Sequence, residues 1–109
     1  MSADSPAAWE PLAIDPAHAQ FPARAVCGGQ PIWVLRTNDG FRGIQETCPH
    51  DGRPLESATI VGNGAMVRCI YHNYTFKLSS GAGVNCPGFR IAVYDIREHD
   101  GQLFAAATP

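Results

Sequence analysis

The chain has 109 residues, which is the size of one domain and leaves no expected room for a large catalytic domain beside a metal module. Its formal net charge is −2, and its eight Lys and Arg residues are scattered singly, so nucleic acid is not an expected partner. No stretch approaches the ~18 consecutive apolar residues of a membrane helix, and the first ten residues do not read as a signal peptide. We therefore expect a cytoplasmic protein without a membrane partner.

Short runs rich in Val, Ile, Thr and aromatic residues alternate with turn signals along the chain, and helical periodicity is nearly absent. Residues 13–22 contain two prolines and predict a loop that can hold one helical turn. Strands are predicted at 9–12, 24–27, 32–36, 41–46, 59–61, 66–69, 74–78, 90–98 and 103–107. Both faces of the 90–98 run are fairly apolar, which predicts a central strand. The pattern predicts an all-β fold of antiparallel sheets, a sandwich or barrel, with residues 1–109 as a single domain.

Two cysteine-histidine pairs stand near the middle of the sequence. Cys48 and His50 lie in C-P-H-D-G, and Cys69 and His72 lie in C-I-Y-H, with residues 51–68 between the pairs. Each pair follows the end of a predicted strand. We therefore expect two loops that project like fingers and close on one metal centre.

The chemistry of these four side chains is compatible with more than one metal centre. Two thiolates and two imidazoles suit zinc or an iron–sulfur centre. Zinc sites of this composition usually pair like ligands, as in C-x2-4-C followed by H-x3-5-H. One cysteine and one histidine on each loop favour a binuclear cluster instead. Structural zinc is the main alternative, and a Cys48–Cys69 disulfide is weaker because disulfides are rare in a reducing cytosol.

The spacing C-x-H, then C-x-x-H, resembles the Rieske [2Fe-2S] family, and the resemblance covers roughly residues 9–107. It implies one [2Fe-2S] cluster per chain, with Cys48 and Cys69 on one iron and His50 and His72 on the other. The cluster-binding part is then a small two-loop subdomain at about residues 46–88. Further family features are Leu55, the aromatic run 74–78, Ser80-Gly81, and 85–88 as the proline loop.

The resemblance also implies residues around the cluster. The cluster shell comprises Tyr71, Tyr74, Pro87 and Gly88, and the cap comprises Pro87, Gly88 and Phe89.

Asp51, Arg53 and Glu56 follow the first pair, either as solvated charges or as a rim that steers a partner. The other two cysteines, Cys27 and Cys86, are predicted to be packing residues, while His18 and His99 are predicted to be solvated. Trp9 and Trp33 are expected in the core.

The resemblance further implies a low redox potential. High-potential family members carry a disulfide between the loops, and Arg53 and Tyr71 occupy those two cysteine positions here. They also place Ser and Tyr hydroxyls near the cluster sulfurs, at the positions of Tyr74 and Phe76. Phe76 cannot donate a hydrogen bond, and Tyr74 could donate one, but its ring is much longer than the Ser side chain and is not expected to give the same geometry. We therefore expect the lower part of the ~ −150 to +300 mV Rieske range.

The function implied by the resemblance is one-electron transfer without catalytic residues. The favoured interpretation is a Rieske ferredoxin that carries electrons from a flavin-dependent reductase to a terminal ring-hydroxylating oxygenase, as in aromatic hydrocarbon catabolism. Docking would be transient and occur at the histidine tip. The alternatives are the small Rieske subunit of an NAD(P)H-dependent nitrite reductase and a structural zinc module. The stretch from Cys69 to Phe76 also resembles the Rieske domain of oxygenase large subunits.

Overall fold

The computed structural model describes residues 9–38, 40–48, 55, 59–62, 64–69, 73–86 and 88–107. These residues form nine strands: β1 Glu10–Pro11, β2 Ala23–Cys27, β3 Gln30–Thr37, β4 Gly40–Gln45, β5 Thr59–Val61, β6 Met66–Arg68, β7 Thr75–Lys77, β8 Val93–His99 and β9 Gln102–Ala107. The same ranges hold no helix that could cross a membrane. The predicted all-β fold is confirmed, and so is the loop at residues 13–22, where the Asp15 carbonyl accepts from the N–H groups of His18 and Ala19.

The strands form two antiparallel sheets. Six strands pair in the order β1-β9-β8-β4-β3-β2, and three pair in the order β5-β6-β7. Strand β8 lies between β4 and β9, as its two apolar faces predicted. It begins at Val93 rather than at Arg90, because Arg90 and Ile91 pair with residues 81–82 instead.

Two apolar clusters lie on opposite faces of the six-stranded sheet, because successive side chains of a strand alternate between its faces. On β3, Leu35 faces one cluster and Val34 faces the other. The one-sheet cluster consists of Leu12, Cys27, Ile32, Val34, Tyr94, Leu103 and Ala105. The intersheet cluster joins the two sheets and consists of Leu35, Ile44, Cys48, Leu55, Val67, Cys69, Phe76, Leu78, Cys86, Ile91 and Val93.

The tryptophans differ in their burial. Trp33 packs against the intersheet cluster, as expected. The expectation that Trp9 lies in the core is wrong, because Trp9 is only partly buried and belongs to neither cluster. Its ring instead lies under the Arg97 guanidinium, 4.6 Å from the ring centroid to the cation, an arrangement that suits a half-exposed aromatic side chain.

Cys27, His18 and His99 lie where the sequence predicted them. Cys27 is 8% exposed within the one-sheet cluster, as expected for a packing residue. Burial raises the pKa of its thiol, and the nearby Glu10 carboxylate raises it further. His18 and His99 are both exposed. His18 pairs with Asp15, three residues before it, and His99 pairs with Asp100.

Candidate metal centre

The two cysteines of the paired motifs reach one place from different sheets. Cys48 follows the end of β4 in the six-stranded sheet, and Cys69 directly follows β6 in the three-stranded sheet. Each is 1% exposed, and both belong to the intersheet cluster. The fold therefore brings these two sulfur atoms into one buried apolar region, although 20 residues lie between Cys48 and Cys69 in the sequence.

Other predicted site residues lie outside the described residues: His50, Asp51, Arg53, Glu56, Tyr71, His72 and Pro87. Both histidines are among them, and the described ranges contain no group of three or more His, Cys, Asp or Glu side chains that could hold a metal ion. Of the four proposed ligands, the structure therefore describes Cys48 and Cys69.

Backbone hydrogen bonds close the loop that begins at Cys69. The N–H of Cys69 donates to the carbonyl of Tyr74 over 2.8 Å, and the N–H of Asn73 donates to the carbonyl of Cys69 over 2.8 Å. Asn73 has a φ of 57°, a left-handed conformation that asparagine tolerates better than most residues. The two ends of the 69–74 loop are therefore fixed next to each other.

Residues 83–86 and 88–89 lie against the 69–74 loop. Tyr74 and Phe89 stack with their ring centroids 5.9 Å apart, and both pack against the intersheet cluster. Gly88 is exposed with a φ of 88°, a conformation that favours glycine. The predicted shell residues Tyr74 and Gly88 thus lie in adjoining segments, and Phe89 contributes an aromatic cover from the segment predicted as the cap.

Cys86 is buried in the same cluster as Cys48 and Cys69. It is 4% exposed, and its sulfur lies 3.9 Å from the Thr75 carbonyl oxygen. This burial agrees with the predicted packing role. None of the chain's four cysteines takes part in a disulfide.

Asn85 begins the predicted proline loop, but the sequence assigned its side chain no role. Its side-chain oxygen accepts from the N–H of Thr75 over 2.9 Å, and its side-chain nitrogen donates to the carbonyl of Asn73 over 2.9 Å. Asparagine in a glycine-rich segment is an ordinary turn signal, so the sequence contained nothing that distinguished this contact from a turn.

The residues at this place suit an iron–sulfur group. Thiolates are soft ligands that select such clusters, and both sulfurs are shielded from water by apolar neighbours. Trp33 packs against the same cluster, and its indole Nε1 is buried without a hydrogen-bond partner in the described structure. A buried donor of this kind is costly unless an acceptor is supplied, and a sulfur-rich group is one such acceptor.

The family of the chain follows from a comparison with known families. Residues 14–95 match the Rieske [2Fe-2S] domain, a range that includes both Cys-His pairs. The chain belongs to the Rieske [2Fe-2S] domain family. Its cofactor is accordingly a Rieske-type [2Fe-2S] cluster rather than zinc.

Two curated relatives are components of oxygenase systems. The chain is 25% identical over 80 residues to the ferredoxin CarAc of Metapseudomonas resinovorans, covering 72% of this chain and 73% of the relative. It is 29% identical over 74 residues to the methanesulfonate monooxygenase ferredoxin subunit of Methylosulfonomonas methylovora, covering 68% of this chain and 59% of that subunit.

Solved structures share the fold at low sequence identity. One protein, assigned as an NADPH nitrite reductase small subunit, has a TM-score of 0.76 at 17% identity, covering 91% of this chain and 98% of that one. A chain of the complex of reduced oxygenase and oxidised ferredoxin in carbazole 1,9a-dioxygenase has a TM-score of 0.69 at 22% identity, covering 91% and 93%. The caffeine-bound and related NdmA structures of Pseudomonas putida are much longer, and this chain spans about a third of them.

Proposed function

We propose that the chain is a one-electron carrier that passes electrons from a flavin-dependent reductase to a terminal oxygenase. The observation that carries this proposal is the burial of Cys48 and Cys69 in one cluster at the meeting of the two sheets, within a Rieske domain. Cys48 and Cys69 bind one iron, and His50 and His72 bind the other. Residues 1–109 act as a single domain, with the cluster-binding part at about residues 46–88.

The bound group supplies a one-electron redox step, with a potential raised by neutral imidazoles above that of all-cysteine clusters. The polypeptide supplies the environment. Leu55 and Phe76 shield the cysteines from water, and the Tyr74–Phe89 pair covers one side. Catalytic residues have no place in this mechanism, because the chain passes electrons and converts no substrate.

Phe76 supports a potential in the lower part of the Rieske range. Its side chain is completely buried in the intersheet cluster, and it stands where high-potential members have a hydroxyl donor. Hydrogen bonds to cluster sulfurs are among the factors that set the potential, and an aromatic ring without a hydroxyl supplies none.

The relatives support the choice of partners. Both curated relatives are ferredoxin components of oxygenase systems, and one structural relative comes from an oxygenase–ferredoxin complex. Docking at the histidine tip is transient, with an interface below ~1,200 Å² as in other electron-transfer encounters. The cytoplasm, where both partners and reduced cysteines are available, is the proposed location.

The second candidate function is the small subunit of an NAD(P)H-dependent nitrite reductase. The structural match to a protein of that assignment extends over nearly the whole of both chains. At 17% identity this match supports only the fold, and proteins of both candidate functions have that fold. The curated ferredoxin relatives therefore favour the carrier.

Reconstitution from the native cells separates the two candidates. The chain is purified anaerobically, and its visible spectrum is followed after NADH addition, with and without the other protein fractions. A carrier runs as a separate small protein and is reduced only when a flavin-reductase fraction is added back. A stable complex that contains this chain, is reduced directly by NADH or NADPH and consumes nitrite would contradict the proposal.

A further inference from the structure

We infer that Asn85 is a positioning residue that clamps the loop carrying Cys69 and His72 to the segment that covers it. This inference rests on the proposed ligand assignment. The relevant elements are the 69–74 loop and the covering segment, residues 83–89. Asn85 contributes no ligand and no contact with a redox partner in this role, and it acts through the loop that it holds.

The side chain of Asn85 bridges both sides of Tyr74. Its Oδ1 accepts from the N–H of Thr75 over 2.9 Å, and its Nδ2 donates to the carbonyl of Asn73 over 2.9 Å. An amide has a donor and an acceptor on one planar group, whereas a carboxylate only accepts and an alanine does neither. The pair of bonds is therefore specific to an amide side chain.

Backbone bonds extend this contact on both sides. The N–H of Val84 donates to the carbonyl of Thr75 over 2.8 Å, so two successive residues of the covering segment bond to the chain after the loop. Within the loop, Cys69 is bonded in turn to Tyr74 and to Asn73, each over 2.8 Å. The contacts form a continuous path from Asn85 through Asn73 to the backbone of Cys69.

The position of Asn85 makes its effect local. The residue is exposed, whereas the neighbouring Cys86 is 4% exposed and anchors the segment in the intersheet cluster. Removal of the amide therefore leaves the apolar core intact while it removes two of the hydrogen bonds that join the loop to the covering segment. The expected consequence is easier opening of the loop, since local opening is governed by local contacts.

The test compares the cluster-containing wild type with Asn85→Ala, Asn85→Asp and Val84→Ala. Val84 is the matched control, because its side chain is 52% exposed and its backbone bond to Thr75 survives the substitution. The rate of cluster loss to an iron chelator is read from the visible absorbance. Hydrogen exchange at the Thr75 amide, whose acceptor is Asn85, gives a second readout that needs no redox activity.

We expect Asn85→Ala to lose its cluster about tenfold faster than wild type, the size associated with losing two modest hydrogen bonds. Exchange at the Thr75 amide should accelerate, while the free energy of unfolding in urea should fall by no more than the equivalent of the same tenfold factor. Asn85→Asp should protect the Thr75 amide, because its carboxylate still accepts, yet should release the cluster faster than wild type because it cannot donate to Asn73.

Two results would overturn the clamp: cluster loss from Asn85→Ala at the rate of Val84→Ala, or a Thr75 amide that exchanges at the wild-type rate in Asn85→Ala. A failure of the proposed ligand assignment would look different. In that case Cys69→Ala would retain the cluster, and the exchange measurement would still decide whether Asn85 holds the loop.

Discussion

Cys48→Ala and Cys69→Ala should each yield protein without the visible absorption and the electron paramagnetic resonance signal of a [2Fe-2S] cluster. Each substitution removes one of the two thiolates proposed for the same iron, and soft thiolate ligation is what selects such a cluster. The other two cysteines, Cys27 and Cys86, are also buried, so no exposed cysteine is available to replace either thiolate. Iron and acid-labile sulfide content per chain measures the outcome, and near-complete loss is expected.

The chain contains its own matched controls. Cys27→Ala changes a buried cysteine of the one-sheet cluster, and Cys86→Ala changes one in the same cluster as the proposed ligands. Both controls should retain the iron, the sulfide and the spectrum, with some loss of stability from the missing sulfur atom. A colourless Cys86→Ala together with a coloured Cys69→Ala would mean that the ligand assignment is wrong.

Gly81→Ala should destabilise the protein more than any other single methyl addition at a described glycine. Gly81 has a φ of 81°, which L side chains rarely adopt, and an added Cβ would stand 1.9 Å from the carbonyl oxygen of Ile91. That carbonyl belongs to backbone that pairs with Gly81, because the Ile91 N–H donates to the Gly81 carbonyl over 2.9 Å. Relief of the clash must therefore move Ile91, which is 2% exposed in the intersheet cluster.

Gly101→Ala is the control that measures the cost of backbone strain without a steric clash. Gly101 has a φ of 77°, close to that of Gly81, and an added Cβ would meet nothing within 4 Å. We expect a loss of about 1–2 kcal/mol for Gly101→Ala from the left-handed backbone alone. Gly81→Ala should lose about 1–3 kcal/mol more, the usual cost of overpacking, measured as the free energy of unfolding in urea. Equal losses in the two variants would contradict the packing of residues 81 and 91.

The strands were predictable because turn chemistry and alternation act locally. The strands predicted at 24–27 and 32–36 pair as a hairpin around Gly28-Gly29, both of which have positive φ. The start of β8 was not predictable from the same signals. Residues 90–92 have strand-like composition, but Gln45 and the glycine-rich loop occupy their backbone groups, and those partners are distant in sequence.

The site also has a part that the sequence predicted and a part that it did not. Spacing alone indicated Cys48 and Cys69, and the convergence of β4 and β6 from two sheets explains how both reach one buried cluster. The role of Asn85 depends on how two loops approach each other, and loops carry no periodic signal that reports such an approach. The predicted ligation by His50 and His72 lies outside the described residues and stays a prediction.

A redox titration of the purified protein, monitored by electron paramagnetic resonance and visible absorption, tests the central claim most directly. A cluster with two histidine ligands should give a rhombic Rieske signal that appears on one-electron reduction in the lower part of the ~ −150 to +300 mV range, near its negative end. A signal that appears well above zero would contradict the low-potential argument based on Phe76. Colourless protein with bound zinc after anaerobic preparation would contradict the electron-carrier account as a whole.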